Sequence, residues 1–354
     1  MNLIYFTCFF WVLPLQIACC QLVETLQIGN LQGDSSYYDI FEIHKGEFWI
    51  GGKSGILKKY TETNGLRDVY YPNLGRSILR INKLGDKILI ASDQGTLYVS
   101  EKGEWTTQQF LKHSKSCFYD LMVVDSLTAF ICGGRSKIAI GKRVVPHGFI
   151  LKTQDGGNTW NPVFRSFSKM VWRLKYDTIS QEILALTYSP LGSQVYSGGN
   201  RGDAWKKAPW KDRNLYHDLD ISSNRELILA GGRSGNLRNQ AGHLRKCSIQ
   251  NENSNPTMNF ECLPGGLIWD YTSGEKWELA SSGSGNLWYR EKNKGSNWDL
   301  IKMTTPLNLY EVIFYDENAV LVIGSKKSIF KVTLPMIPNS SLNSVELQIS
   351  GQTH

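Results

Sequence analysis

Seven times along this 354-residue chain the same phrase returns: an aromatic or apolar residue beside a charged one, an apolar run, a small-residue turn, and a second apolar run. The charged steps read Tyr38-Asp39-Ile40, Leu79-Arg80-Ile81, Tyr119-Asp120-Leu121, Trp172-Arg173-Leu174, His217-Asp218-Leu219, Trp269-Asp270-Tyr271 and Tyr310-Glu311-Val312. They recur every ~40 to 53 residues, a period that belongs to propeller blades. A repeat of that length constrains the fold more than any single residue does.

Small-residue turns follow at 51–55, 92–95, 133–136, 231–235, 282–285 and 324–327, with 189–193 a weaker version in the fourth repeat. Glycine at such places supplies the positive φ of a tight hairpin. The flanking runs at 47–50, 87–90, 128–132, 227–230 and 320–323 are too short for helices and rich in β-branched or aromatic residues, so they read as buried strands. Aromatic residues at 12 % suit a β-rich protein. The expected architecture is all-β: a seven-bladed β-propeller of four-stranded antiparallel blades, closed so that only short edges remain. Residues 21–334 form it, and 335–354 follow as a C-terminal tail. The last repeat supplies strands at 309–315, 319–324 and 328–334. Its missing fourth strand is expected from residues 22–28, with 345–349 as the alternative.

A third element lies between the third and fourth strands of several repeats. Residues 153–160 make a full Asp-box with Asp155, Gly157 and Trp160. The same spacing returns as Asn200, Gly202 and Trp205, and as Asn293, Gly295 and Trp298, with a shortened version ending Gly103-Glu104-Trp105. An Asp or Asn side chain accepts backbone N–H groups inside the turn, glycine permits the bend, and tryptophan folds back over it.

Residues 1–20 carry no charged side chain and end Ala18-Cys19-Cys20, as an export signal with a small-residue cleavage site would. An uncleaved anchor is the competing reading, because no Lys or Arg opens the chain. Lipidation at Cys19 or Cys20 also stays open, in imperfect register. The expected location is extracytoplasmic: periplasmic, cell-envelope or secreted. Four cysteines remain after the signal. Cys247 and Cys262 flank residues 251–256 almost symmetrically and are expected to pair; Cys117 and Cys132 either pair or stay as buried thiols. No cysteine has metal-ligand spacing with a histidine, and no nucleophile elbow, P-loop, zinc signature or dinucleotide fingerprint is present, so neither metal nor cofactor is expected. The net charge of +7 is spread among the turns and argues weakly for an anionic partner. The denser stretch of Trp205, Lys206, Lys207, Trp210 and Lys211 reads as a loop edge rather than a nucleic-acid site.

In a propeller the first strand of each blade lines the central channel. Asp39, Arg80, Asp120, Arg173, Asp218, Asp270 and Glu311 should then share one level. Signs alternate from Asp39 to Asp218, where neighbours can pair, while Asp218, Asp270, Glu311 and Asp39 follow one another as an acidic half-ring. One reading makes the half-ring a site for a cation, a basic peptide or a sugar. The other makes these carboxylates caps for backbone N–H groups, balanced by Arg80 and Arg173. Tyr38, Tyr119, Trp172, Trp269 and Tyr310 precede the charge by one and are expected to point away from it, into blade-to-blade packing. His217 is the one histidine on this strand level, and ordinary packing is expected for it.

The charged first strand, the small-residue turn and the Asp-box ending in Trp together resemble the photosystem II stability and assembly factor family of seven-bladed propellers, over about residues 36–334. Residues 148–160 and 130–134 carry the resemblance most specifically. It implies a non-enzymatic scaffold that helps other proteins assemble outside the cytoplasm, with a protein partner. Fold does not fix function, and Asp-boxes also occur in sialidases and other glycoside hydrolases. A glycoside hydrolase or glycan-binding propeller is therefore the alternative, using two carboxylates ~5 to 9.5 Å apart. The arginine triad that a sialidase wants is not found; the first-strand level offers only Arg80 and Arg173.

Overall fold

The computed structural model describes residues 25–28, 34–72, 75–110, 116–138, 144–208, 214–222, 224–232, 241–248, 258–292, 297–303 and 307–335. The leader with Cys19 and Cys20, the box residues Asn293 and Gly295, Trp210, Lys211 and the tail beyond 335 lie outside them. Among the described residues no helix is long and apolar enough to cross a membrane.

Seven four-stranded antiparallel sheets make the molecule a seven-bladed β-propeller. Their inner strands are Tyr37–His44, Ile78–Leu84, Ser116–Val123, Met170–Asp177, Leu215–Ile221, Ile268–Ser273 and Leu309–Phe314, which define blades 1 to 7. Blades 1 to 6 take four consecutive strands. Blade 7 takes three, and its outermost strand is Thr25–Gln27, antiparallel to Ile329–Thr333. The ring is closed by the N-terminal segment.

Seven apolar clusters hold it, one at each blade boundary. Between blades 1 and 2, Trp49 and Leu57 meet Ile78, Ile81 and Tyr98. Between blades 7 and 1, Leu321 and Ile323 meet Tyr37, Ile40 and Ile50. Each blade is thus apolar on both faces, as its short unalternated runs require.

The turns between second and third strands use the left-handed region where the sequence places small residues. Ser54, Gln94 and Ser284 sit at φ 58°, 57° and 61°, each followed by a glycine with positive φ. On the opposite edge, both Asp155 carboxylate oxygens accept the Thr159 backbone N–H, and the Trp160 indole donates to the Gly157 carbonyl at 3.1 Å. Three strong acceptor contacts with Thr159 and Thr153 hold the Asp155 carboxyl down at about 2. Trp205 repeats the indole contact on Gly202 at 3.0 Å.

One sequence expectation is corrected here. Cys247 stands opposite Met258, and Cys262 opposite His243. That four-residue offset is roughly 13 Å along a strand, well beyond the ~7 Å Cα limit for a disulfide. Cys247 and Cys262 are not bonded to each other, nor are Cys117 and Cys132, which face Gly134 and Asp120. The strand ladder is centred two residues before the midpoint between the two cysteines, so equal flanks misjudged the register.

The residue before each charge sits on a backbone feature that the spacing did not announce. In every blade the inner strand carries a β-bulge there: the ladder skips Tyr38, Leu79, Tyr119, Trp172, His217, Trp269 and Tyr310. A bulge breaks the period-two alternation on which the expectation rested. The residue before the bulge joins these side chains in packing between blades: Tyr37, Ile78, Phe118, Val171, Tyr216, Ile268 and Leu309 are all buried.

Candidate functional site

The seven bulges build two tiers near the axis. Six bulged side chains meet in sequence around it. Tyr38 lies 5.7 Å from Tyr310, Tyr310 5.4 Å from Trp269, Trp269 4.6 Å from His217, His217 6.1 Å from Trp172, and Trp172 stacks on Tyr119 at 4.6 Å. Leu79 holds the seventh place. The result is a half-buried aromatic collar one residue ahead of the charged tier on every inner strand. The Nδ1 of His217 and the Nε1 of Trp269 are buried within it with no hydrogen-bond partner.

The charged tier is largely buried. Arg80 reaches three carboxylates on three other blades: Nη1 contacts Asp39 at 2.9 Å and Glu311 at 3.3 Å, and Nε contacts Asp120 at 3.1 Å. Arg173 holds Asp218 at 3.3 Å and donates to the Tyr119 carbonyl. The expected pairing of alternate signs is present for Asp39–Arg80–Asp120 and for Arg173–Asp218. The sequence did not reveal that Arg80 also spans to Glu311.

All four aspartates of the tier use a carboxylate oxygen as a strut to the next blade. Asp39 accepts the backbone N–H of Ile81, Asp120 that of Leu174, Asp218 that of Tyr271, and Asp270 that of Val312. Each link joins blade n to blade n+1 and satisfies a backbone donor where the bulge has disturbed the ladder. This is the capping role that sequence reasoning set beside a ligand role.

Five carboxyl groups face two guanidinium groups, so the tier holds excess acid. Burial raises Glu311 well above the usual carboxylate range, and Asp39 and Asp270 beside it push the same way. Burial likewise raises Asp270, helped by the Asp218 charge. Burial raises Asp39 and Asp218, with Arg80 and Arg173 respectively opposing it. For Arg80, burial works against the charge, yet Glu311, Asp39 and Asp120 carry its pKa well above normal. His217 is pushed down to about 4 by burial and by Arg173, so at neutral pH its ring is uncharged inside the collar. It stacks rather than pairing with Asp218, in agreement with ordinary packing.

Two residues further along the strands, Lys175 pairs with Asp220. Sequence reasoning missed this pair, although counting two positions on from Arg173 and Asp218 finds it. Among the described residues no three His, Cys, Asp or Glu side chains converge as metal ligands.

Fold and tiers define a seven-bladed propeller whose channel is bound by charge and fronted by aromatic rings. No protein-family model and no curated protein sequence matches the chain. Among solved structures it is similar to YCF48 from Cyanidioschyzon merolae, with TM-score 0.66 and 15 % identity over 87 % of this chain and 98 % of that one. YCF48 bound to D1 peptide gives 0.64 and 15 % over 89 % and 95 %. A streptogramin B lyase gives 0.63 and 10 % over 88 % and 98 %. At such identities the likeness is one of fold.

Proposed function

We propose that this chain is a non-enzymatic interaction module that holds another protein against the collar face of its ring. The collar carries the reading. Six π-faces stand beside a tier with more carboxyl groups than guanidinium groups, which suits an incoming Lys or Arg side chain of a partner. The structural neighbours include YCF48 bound to D1 peptide, a propeller holding a peptide, and the assembly-factor likeness of the repeats points the same way. The turns at Asp155 and Gly202 are read as Asp-boxes that brace blades, away from the collar. The uncharged leader of residues 1–20 supports action outside the cytoplasm, on a free, lipidated or anchored chain.

The glycoside-hydrolase reading finds less support. Of its candidate carboxylates, Asp218 and Asp270 each give an oxygen to a backbone N–H of the next blade, and Glu311 is held by Arg80. An acid so engaged is poorly placed to move a proton to a leaving group. Glycan binding without hydrolysis would use the same collar, since sugar rings stack on aromatic faces.

The test is crosslinked affinity purification of the tagged chain from the envelope or secreted fraction, in parallel with the Trp172→Ala/Trp269→Ala variant. A near-stoichiometric protein recovered with the wild type and lost with the variant supports the reading. Glycan retention or cleavage by the purified wild type, with no protein partner, overturns it.

A further inference from the structure

A cavity of about 490 Å³ lies on blade 3, lined by residues of its three outer strands, by Ser116 at the start of its inner strand and by Phe110 at the end of blade 2. The strand Val144–Thr153 builds its floor. His147, Phe149 and Leu151 share one face of that strand and line the cavity. Strand pairing then sets Arg135 opposite His147, and Arg165 opposite Phe149. Two guanidinium groups and an imidazole thus converge on a trough walled by Phe110 and Trp160, whose rings stand 6.3 Å apart.

The charges there are one-sided. No acidic residue lines the cavity. Elsewhere on this molecule arginines are spent on carboxylates: Arg80, Arg173, Arg225 and Arg290 all have them. Arg135 and Arg165 have no ion pair or side-chain hydrogen bond among the described residues. Planar guanidinium forks left open over apolar rings are suited to a carboxylate attached to something apolar. The outermost strand of the blade, Asn161–Ser166, supplies Pro162, Arg165 and Ser166 to the lining, so the trough opens along an unpaired strand edge. Edges of that kind accept extended peptides. At its rim Phe167 meets the His147 ring edge-on at 5.7 Å and stays 74 % exposed.

We propose that this trough binds an extended acidic peptide segment of a partner protein, its carboxylates on Arg135 and Arg165 and its apolar side chains over Phe149 and Trp160. The inference rests on the reading of the chain as an interaction module, but it uses a surface separate from the collar. Acidic and apolar residues two apart are the pattern sought: in a strand, side chains that point into the trough recur at every second residue.

Fluorescence anisotropy with the full chain tests it. The probe is a fluorescein-labelled hexapeptide in which Glu and Leu take turns at every second residue with Ser between them, so that both fall on one face of the strand; controls are the Lys–Leu version of it and hexaglutamate. The wild type should bind the Glu–Leu peptide saturably and the Lys–Leu peptide not at all. Arg165→Glu, an exposed charge reversal that leaves the core untouched, should weaken Glu–Leu binding by about tenfold or more, and Arg135→Ala/Arg165→Ala should do the same. Trp172→Ala/Trp269→Ala in the collar should change nothing. Equal binding of the Glu–Leu and Lys–Leu peptides, no effect of either arginine variant, or no binding of the Glu–Leu peptide would overturn the proposal. So would hexaglutamate binding as tightly as Glu–Leu, which would leave the aromatic floor unused. Loss of a cellular partner in the collar variant alone bears on the collar; loss of the peptide in the arginine variants alone bears on the trough.

Discussion

Nη1 of Arg80 lies 3.3 Å from Oε2 of Glu311 although the whole of blade 1 stands between their two blades. The same nitrogen holds Asp39 of blade 1, and Nε holds Asp120 of blade 3. One cation therefore ties four of the seven blades together. Blade 7 is also where the chain closes on its own N-terminal strand. The ring is shut twice, by a three-residue strand at its rim and by a guanidinium near its axis.

Removing that cation should be costly. Arg80→Leu leaves Asp39, Asp120 and Glu311 buried around no positive charge, and breaking a buried ionic cluster from one side costs about 3–5 kcal/mol. Arg80→Lys should recover part of this, since an ammonium is a point charge without the fork that meets three carboxylates at once. Urea unfolding at neutral pH reads both. An Arg80→Leu midpoint equal to that of the wild type would mean the cluster adds nothing to closure.

Excess acid in the same tier gives a pH dependence of definite sign. The folded-state pKa of Glu311 is raised, so the folded protein takes up a proton more readily than the unfolded chain. Its contribution is fully favourable below the ordinary carboxylate range and is lost as pH rises through the higher folded value. Glu311→Gln keeps an acceptor for Arg80 and removes the charge. It should raise the melting temperature at pH 8 and have little effect near pH 4. A variant less stable than the wild type at pH 8 would show the ionised carboxylate to be the favoured partner.

The blade count, the closing terminus and the ring of charges were legible because each is written in residue type at a regular spacing. Tyr38-Asp39-Ile40 and its six counterparts announce themselves. The bulge was not legible, because the skipped residue is Tyr, Leu, Trp or His and has no signature of its own. The closing of the rings into a collar, with Tyr37 and its counterparts buried just before it, follows from that one unseen backbone feature. Cys247 and Cys262 failed for a related reason: hairpin register depends on where an irregular loop begins, and composition does not fix it. The Arg135–Arg165 trough was hidden because its cations lie thirty residues apart and meet only through two strand pairings.

His217 provides a second pH signature. Its pKa falls from 6.5 to about 4 on folding, led by burial. A depressed histidine contributes stability that is complete above the unfolded pKa and is lost as pH falls toward the folded one, here from about 6.5 down to 4, on the order of 3 kcal/mol over that span. Other groups titrate in the window, so the informative quantity is a difference. His217→Phe keeps a ring between Trp172 and Trp269 and deletes the proton site. Its stability gain over the wild type should grow as pH drops from 7 to 4. Parallel curves would place the imidazole in solvent rather than in the collar.

Glycine use around the ring supplies a last prediction. The residue paired with the pre-bulge position is Gly52, Gly133, Gly231 and Gly324 in blades 1, 3, 5 and 7, but Ser92, Thr187 and Ser282 in blades 2, 4 and 6. At the glycines the inner strand's backbone comes too near for a side chain: a Cβ on Gly133 would stand 2.1 Å from the Cys117 carbonyl oxygen, and one on Gly231 2.2 Å from that of Leu215. A carbonyl inside a ladder cannot swing away as a side-chain tip can. Gly133→Ala should therefore destabilise by about 1–3 kcal/mol, as overpacking does. Ser92, in the equivalent place, already carries a Cβ, and its buried hydroxyl has no hydrogen-bond partner. Ser92→Ala removes an unsatisfied polar group and should be neutral or slightly stabilising. Thermal unfolding of the two variants side by side decides the matter; equal losses would mean that close approach of the inner strand is not what selects glycine in the odd-numbered blades.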